Sequence, residues 1–280
     1  MISPYITILR PAQWLKNLML FFPPFLGGQL LQPGIAQKGI IAFLSFSLAS
    51  SATYIFNDTI DREQDLHHTR KRERPIPSGK VTLRAAYLMA VLFLAAALFL
   101  GRHVSTTFLF ILLAYLALST SYTLKLKQFP IIDLFCISAG FLLRLQGGGT
   151  AFGITITEWL FLSVFFLSLF LSTGKRLCEQ NTMGGSAGSH RKTLLAYPPG
   201  FLDGTLYLTG GTVLVTYTMY AIARQSLLYT VPLCCFGLLR YIFRVKSGFG
   251  GDPTESLLKD PLLFAVALLW VAMVGWGIYG

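Results

Sequence analysis

A chain of 280 residues that is 54% hydrophobic and only 12% charged is not a soluble domain, where about 25% charged residues is usual. Its mean hydropathy of +0.60 makes it an integral membrane protein. The net charge of +11 points to basic cytoplasmic loops and anionic partners rather than to nucleic acid. Length alone would allow two soluble domains; in lipid, a single helical domain over residues 1–280 fits better.

A spanning helix needs about 20 mostly apolar residues. Nine segments meet that expectation, at about 14–31, 39–57, 82–101, 104–122, 130–149, 156–175, 201–222, 227–244 and 261–279. The first, in "RPAQWLKNLMLFFPPFLGG", has no small-residue cleavage site after it and reads as a retained helix. Its Pro and Gly breaks are tolerable in lipid where neighbours satisfy the backbone. Arg10, Lys16 and Asn17 stand at its entrance.

The second segment ends in "NDTIDREQD", where Asp58, Asp61, Glu63 and Asp65 crowd into nine residues. Asn57, Asp61 and Asp65 recur every fourth position, so a continuous helix would carry them on one stripe with Asp58 close by. Like charges at that spacing repel. Oxygen ligands without thiolates suit a hard cation, and Mg²⁺ commonly joins one or two carboxylates to substrate phosphates. The plainer alternative is a solvated helix end paired with Arg62, Arg70 or Arg72. His67 and His68 read as loop residues.

Further along, "SYTLKLKQFP" puts Tyr122, Lys125 and Lys127 in a short turn. Arg144 lies inside the fifth segment, where a charge is expensive and faces the bundle interior with a partner. The sixth segment runs into Lys175, Arg176 and Glu179, a set that either binds phosphate directly or contains a plain Lys175–Glu179 helix pair. The four cysteines, Cys136, Cys178, Cys234 and Cys235, show no paired spacing and read as small hydrophobes.

With a cytoplasmic N-terminus, residues 1–16 and loops 58–81, 123–129, 176–200 and 245–260 together hold 15 Lys and Arg. The opposite loops hold three, Lys38, Arg102 and Arg224. That asymmetry sets the N-terminus inside and the C-terminus outside, in the cell membrane, with the functional loops facing the cytoplasm.

"NDTIDREQD" resembles the N-D-x-x-D-x-x-x-D motif of the UbiA superfamily of intramembrane prenyltransferases, and "RPIPSG" resembles its downstream continuation. The resemblance covers essentially the whole chain. It implies an all-helical bundle around a central cavity, with Asp58, Asp61 and Asp65 holding Mg²⁺ and a diphosphate. Ordinary members carry a second Asp-rich motif after the sixth span, and here that place reads "STGKRLCEQ". Together, "RPAQWLKN", "YTLKLKQFPIIDLFCISAGFLLRLQGG", "GKRLCE" and "GGDPTESLLKDPLL" resemble the decaprenyl-phosphate phosphoribosyltransferase branch. That branch implies phosphoribosyl diphosphate (PRPP) as donor and a polyprenyl phosphate as acceptor. It also implies substrate contacts from Lys16, Asn17, Asn57, Arg74, Tyr122, Lys125, Lys127, Lys175, Arg176 and Glu179. The rival expectation within the superfamily is isoprenyl transfer to an aromatic acceptor. Outside it, the rival is a transporter, against which the acids stand at a helix end without an internal repeat. Oligomeric state, a homo-oligomer included, is left open.

Overall fold

The computed structural model describes residues 3–67, 71–183 and 192–280, so His68 and Arg70 lie outside the described residues. The described residues are helical and turn throughout, without a strand. Eight long helices carry the fold: α1 (Ile35–Ile60), α2 (Leu83–Val104), α3 (Thr106–Leu124), α4 (Ile132–Phe152), α5 (Glu158–Met183), α6 (Phe201–Ile222), α7 (Val231–Lys246) and α8 (Pro261–Tyr279). Among the described residues six stretches are long and apolar enough to cross a membrane: α1, α2, α3, Glu158–Asn181 of α5, Ser226–Lys246 and α8. They correspond to six of the nine expected segments. The fifth and seventh expected segments form α4 and α6. α6 is rich in Thr, whose hydroxyls turn back onto carbonyls of their own helix, as Thr209 does onto Thr205 at 2.7 Å and Thr216 onto Thr212 at 2.9 Å.

The first expected segment is not a continuous α-helix. Residues Pro11–Phe21 wind as a 3₁₀ helix and Phe22–Leu26 follow as a short α-helix. Pro23 and Pro24 remove two backbone donors, which limits the α-helical run. A three-residue repeat stacks Trp14, Asn17 and Leu20 on one side. Trp14 Nε1 donates to Ser51 Oγ at 3.0 Å, and Asn17 and Leu20 are buried.

The expected loops also contain more helix than their charge suggested. α5 continues through Arg176 and Glu179 to Met183, because no breaker intervenes before Gly184. The 245–260 loop holds a short helix, Pro253–Lys259, capped by Asp252. The four cysteines are unbridged.

The chain divides into two compact units. One comprises Met1–Pro24, Leu30–Lys127 and Leu143–Thr155; the other Phe25–Gln29, Gln128–Leu142 and Ile156–Gly280. α4 therefore supplies its first half to the second unit and its second half to the first.

In the first unit α1 packs along α2 and α3. Small residues on α1 (Ala42, Ser45, Ala49, Ala52) permit the close approach that membrane helices use in place of a hydrophobic driving force. Phe46 meets Phe108 edge-on at 5.5 Å in the core. A Cβ on Gly148 of α4 would stand 2.2 Å from the Leu20 carbonyl oxygen, so this helix touches the 3₁₀ segment backbone to backbone. In the second unit α5, α6 and α7 enclose Phe170, Leu177, Leu206, Val213 and Tyr241. Gly174 leaves room there for the Tyr241 ring, which a Cβ would approach to 2.5 Å.

Candidate active site

The last turns of α1 and the short helix Arg62–Leu66 that follows carry the acidic motif. Backbone bonds continue across the junction, Asp61 N–H to Asn57 O at 2.9 Å and Asp65 N–H to Asp61 O at 2.8 Å. The motif therefore keeps a helical arrangement, but its side chains divide into two sets.

One set pairs Asn57 with the end of α3 and Asp61 with the 3₁₀ turn Leu126–Gln128 that follows it. Thr123 donates to Asn57 Oδ1 at 3.3 Å, and Lys127 Nζ donates to Asp61 Oδ1 at 2.5 Å. Both pairs match positions four apart on two segments. The other set is Asp58 and Asp65, seven residues apart and both buried. Arg74 Nη1 lies between them, donating to Asp58 Oδ1 at 2.9 Å and to Asp65 Oδ2 at 2.7 Å. Arg10 donates from one nitrogen to both oxygens of Asp58, at 2.5 and 2.7 Å. Lys71 stands 3.7 Å from Asp65. Asp65 thus accompanies Asp58 rather than the Asn57–Asp61 stripe of the sequence reading.

These positions bear on metal binding. Two carboxylates converge on one cationic nitrogen, so the site already cradles positive charge between Asp58 and Asp65. Among the described residues no three His, Cys, Asp or Glu side chains gather closely enough to enclose an ion. An all-oxygen pair that leaves the remaining positions to substrate phosphates and water is the mode in which Mg²⁺ is usually held. The residues present fit that ion.

The remaining first-unit residues divide by depth. Asn17 is fully buried and donates to Ser47 Oγ at 3.0 Å. Its Oδ1 accepts from Arg144 Nε at 2.7 Å, and Arg144 Nη2 donates to the Tyr115 hydroxyl at 3.1 Å. This network supplies the partner that the intramembrane Arg144 required. It makes Asn17 an anchor of the 3₁₀ segment as well as an entrance residue. Lys16 and Tyr122 are half-buried and Lys125 is exposed.

In the second unit the basic stretch of α5 is engaged differently. Arg176 is buried; its Nε donates to Asp133 Oδ2 at 2.7 Å and its Nη1 to Glu179 Oε2 at 2.8 Å. The Tyr197 hydroxyl donates to Asp133 Oδ1 at 2.7 Å and accepts the Ile131 N–H at 2.8 Å. Burial, and then that bond to Asp133, push the Tyr197 hydroxyl well above its ordinary pKa. Lys175 does not pair with Glu179: its Nζ donates to Asp252 Oδ2 at 2.9 Å. Asp252 also caps the Pro253–Lys259 helix through the Thr254 and Glu255 N–H groups. Gly251 lies against Gly174 and Lys175, where a Cβ would come within 2.6 Å of the Gly174 carbonyl oxygen.

Sequence reasoning placed Arg10 at the entrance of the first segment without counting it among the site residues, and it assigned no role to Asp133, Tyr197, Asp252 or Asp260. Asp252 and Asp260 each precede a proline, a helix-start pattern that could have marked them. Asp133 is an acid inside an apolar run, the same signal that singled out Arg144. Asp260 caps α8 and accepts from Arg240 Nε at 3.0 Å and Arg244 Nη1 at 2.9 Å. Burial alone would raise its pKa, but the Leu263 N–H and the two arginines prevail and lower it to about 2.

The profile of the UbiA prenyltransferase family matches residues 21–259. A decaprenyl-phosphate phosphoribosyltransferase of Mycolicibacterium smegmatis is 31% identical over all of this chain and 93% of its own length. Its namesake in Corynebacterium glutamicum is 32% identical over 98% of this chain and 86% of its own. Among solved structures, a UbiA homologue from Archaeoglobus fulgidus bound to GPP and Mg²⁺ superposes with a TM-score of 0.77 at 21% identity, covering 99% of each chain. At that identity the likeness establishes the fold.

Proposed function

The chain belongs to the UbiA prenyltransferase family and is a membrane transferase of that superfamily. From that premise we propose that it moves the 5-phosphoribosyl group of PRPP to a polyprenyl phosphate of decaprenyl type, releasing diphosphate, in a Mg²⁺-dependent reaction on the cytoplasmic side of the cell membrane. The observation that carries this reading is the match along the whole chain to phosphoribosyltransferases. The basic residues Lys175 and Arg176 on α5, where ordinary members are acidic, support it.

In this reading Asp58, Asp61 and Asp65, with Asn57, would hold Mg²⁺. Bound there, the ion would neutralise charge developing on the leaving diphosphate. An oxygen of the lipid phosphate bonds to ribose C1 while the C1–O bond to diphosphate breaks, and its electron pair leaves with the diphosphate. The lipid phosphate is ionised at neutral pH, so no general base is needed. Positioning and charge complementarity carry the catalysis. Lys16, Tyr122, Lys125, Lys127 and Arg74 lie in the same unit as the acidic motif and are assigned to phosphate binding. In the second unit we assign phosphate contact to Lys175, whose partner Asp252 is itself partly exposed. Arg176, locked between Asp133 and Glu179, positions that end of α5 instead.

Purified protein should release diphosphate from PRPP only when Mg²⁺ and a polyprenyl monophosphate are both present, and the lipid product should gain the mass of a phosphoribosyl group. Consumption of an isoprenyl diphosphate with an aromatic acceptor would instead establish ordinary prenyl transfer.

A further inference from the structure

We infer that Arg10 is a diphosphate-binding residue that Asp58 holds in reserve, and that it competes with the divalent ion for Asp58 until a diphosphate accompanies the ion. The inference rests on the reading above only in placing a metal and a diphosphate at the acidic motif.

Four observations lead to it. The Arg10 guanidinium occupies both oxygens of Asp58, the oxygens a metal would need. It also lies over the Tyr54 ring, 5.0 Å from the centroid, so a second contact keeps it in place when the carboxylate is taken. Its side chain is 23% exposed, whereas Asp58 is 3% exposed, so the cation reaches water and its partner does not. Its backbone is left-handed, at φ 53° and ψ 58°, which an L residue adopts only when its surroundings impose it. The surroundings here are two bonds that pin either side of it: Ser51 to the Leu9 carbonyl at 2.9 Å and Trp14 to Ser51 at 3.0 Å.

A divalent ion arriving at Asp58 would bring its charge up against the guanidinium. Arg74 also bonds Asp58 and Asp65, so Asp58 keeps a cationic partner when Arg10 leaves. The anion suited to a displaced guanidinium is the diphosphate that arrives with the metal, whose oxygens match its fork of donors. Metal alone is therefore disfavoured, and metal with diphosphate is favoured.

The test measures binding to the purified full chain by calorimetry, with MnCl₂ alone and with MgCl₂ plus inorganic diphosphate. Arg10→Gln should bind Mn²⁺ alone about tenfold more tightly than the unmodified protein, and Mg²⁺-diphosphate about tenfold more weakly. Unchanged or weaker binding of Mn²⁺ alone, or unchanged binding of Mg²⁺-diphosphate, overturns the inference. Should Arg10→Gln not fold, Arg10→Lys keeps the charge and loses the fork. It should hold Mn²⁺ as the unmodified protein does and lose several-fold in Mg²⁺-diphosphate affinity; equal diphosphate affinity overturns the inference. Diphosphate is the leaving group in ribosyl and isoprenyl transfer alike, so a failed PRPP assay leaves these outcomes readable.

Discussion

The two units each bury an aspartate against an arginine, and the two pairs differ in what the arginine can do next. In the first unit Asp58 is 3% exposed while its partners Arg10 and Arg74 are 23% and 29% exposed. In the second, Asp133 and Arg176 are 0% and 3% exposed. A guanidinium that still reaches water can exchange one anion for another at small desolvation cost. One enclosed with its partner cannot leave without stranding a buried charge. The first pair includes a non-glycine residue in the left-handed region, Arg10, and the second stands beside another, Ile131. The first pair is suited to ligand exchange and the second to holding α5 in place.

The sharpest way to break this contrast is to remove the enclosed acid. Asp133→Ala leaves Arg176 and the Tyr197 hydroxyl without their carboxylate. It should destabilise the protein by about 3–5 kcal/mol, read as a lower midpoint of thermal unfolding in detergent. A midpoint within a degree of the unmodified protein would mean that the second pair is as dispensable as a surface bridge. The counterpart in the first unit is Asp61→Asn. Stability should change by less than about 1 kcal/mol, because the Lys127 pair is partly exposed. Diphosphate release from PRPP should fall about 100-fold or more. Full activity in that variant would remove Asp61 from the metal assignment.

The smallest effect concerns Asp260, whose pKa of about 2 lies below its ordinary 3.8. A carboxylate with a lowered folded pKa contributes stability that is present above its ordinary value and lost as pH falls through the folded one. Unfolding midpoints should therefore decline between about pH 4 and pH 2, and Asp260→Asn should flatten that part of the curve. An unaltered decline in the variant would assign it to other carboxylates.

Much of this protein was legible before any coordinates. Apolar runs of membrane-spanning length predicted the helices, since backbone in lipid must satisfy its own hydrogen bonds. The spacing in "NDTIDREQD" located the acidic motif, and the match to the UbiA family carries that reading across residues 21–259. Local chemistry could also be misread. The first apolar segment is long enough for a span, yet it divides into a 3₁₀ stretch to Phe21, where Gly148 lies against Leu20, and a short α-helix, Phe22–Leu26, that contains its two prolines. The stretch after Gly174 is charged enough for a loop, yet it continues as helix to Met183.

Sequence by itself determined the membrane class, the helical content and the residue types gathered at the acidic motif, because these follow from composition and from spacing within a few turns. Tertiary structure alone decided which polar partner each buried or half-buried cation meets. Arg144 finds Asn17 across 127 positions, Arg176 finds Asp133 across 43 and Lys127 finds Asp61 across 66. An ion pair depends on a few ångströms of separation and on exclusion of water. Both are set by how distant helices pack, and neither is carried by the identity of the residues that flank the pair.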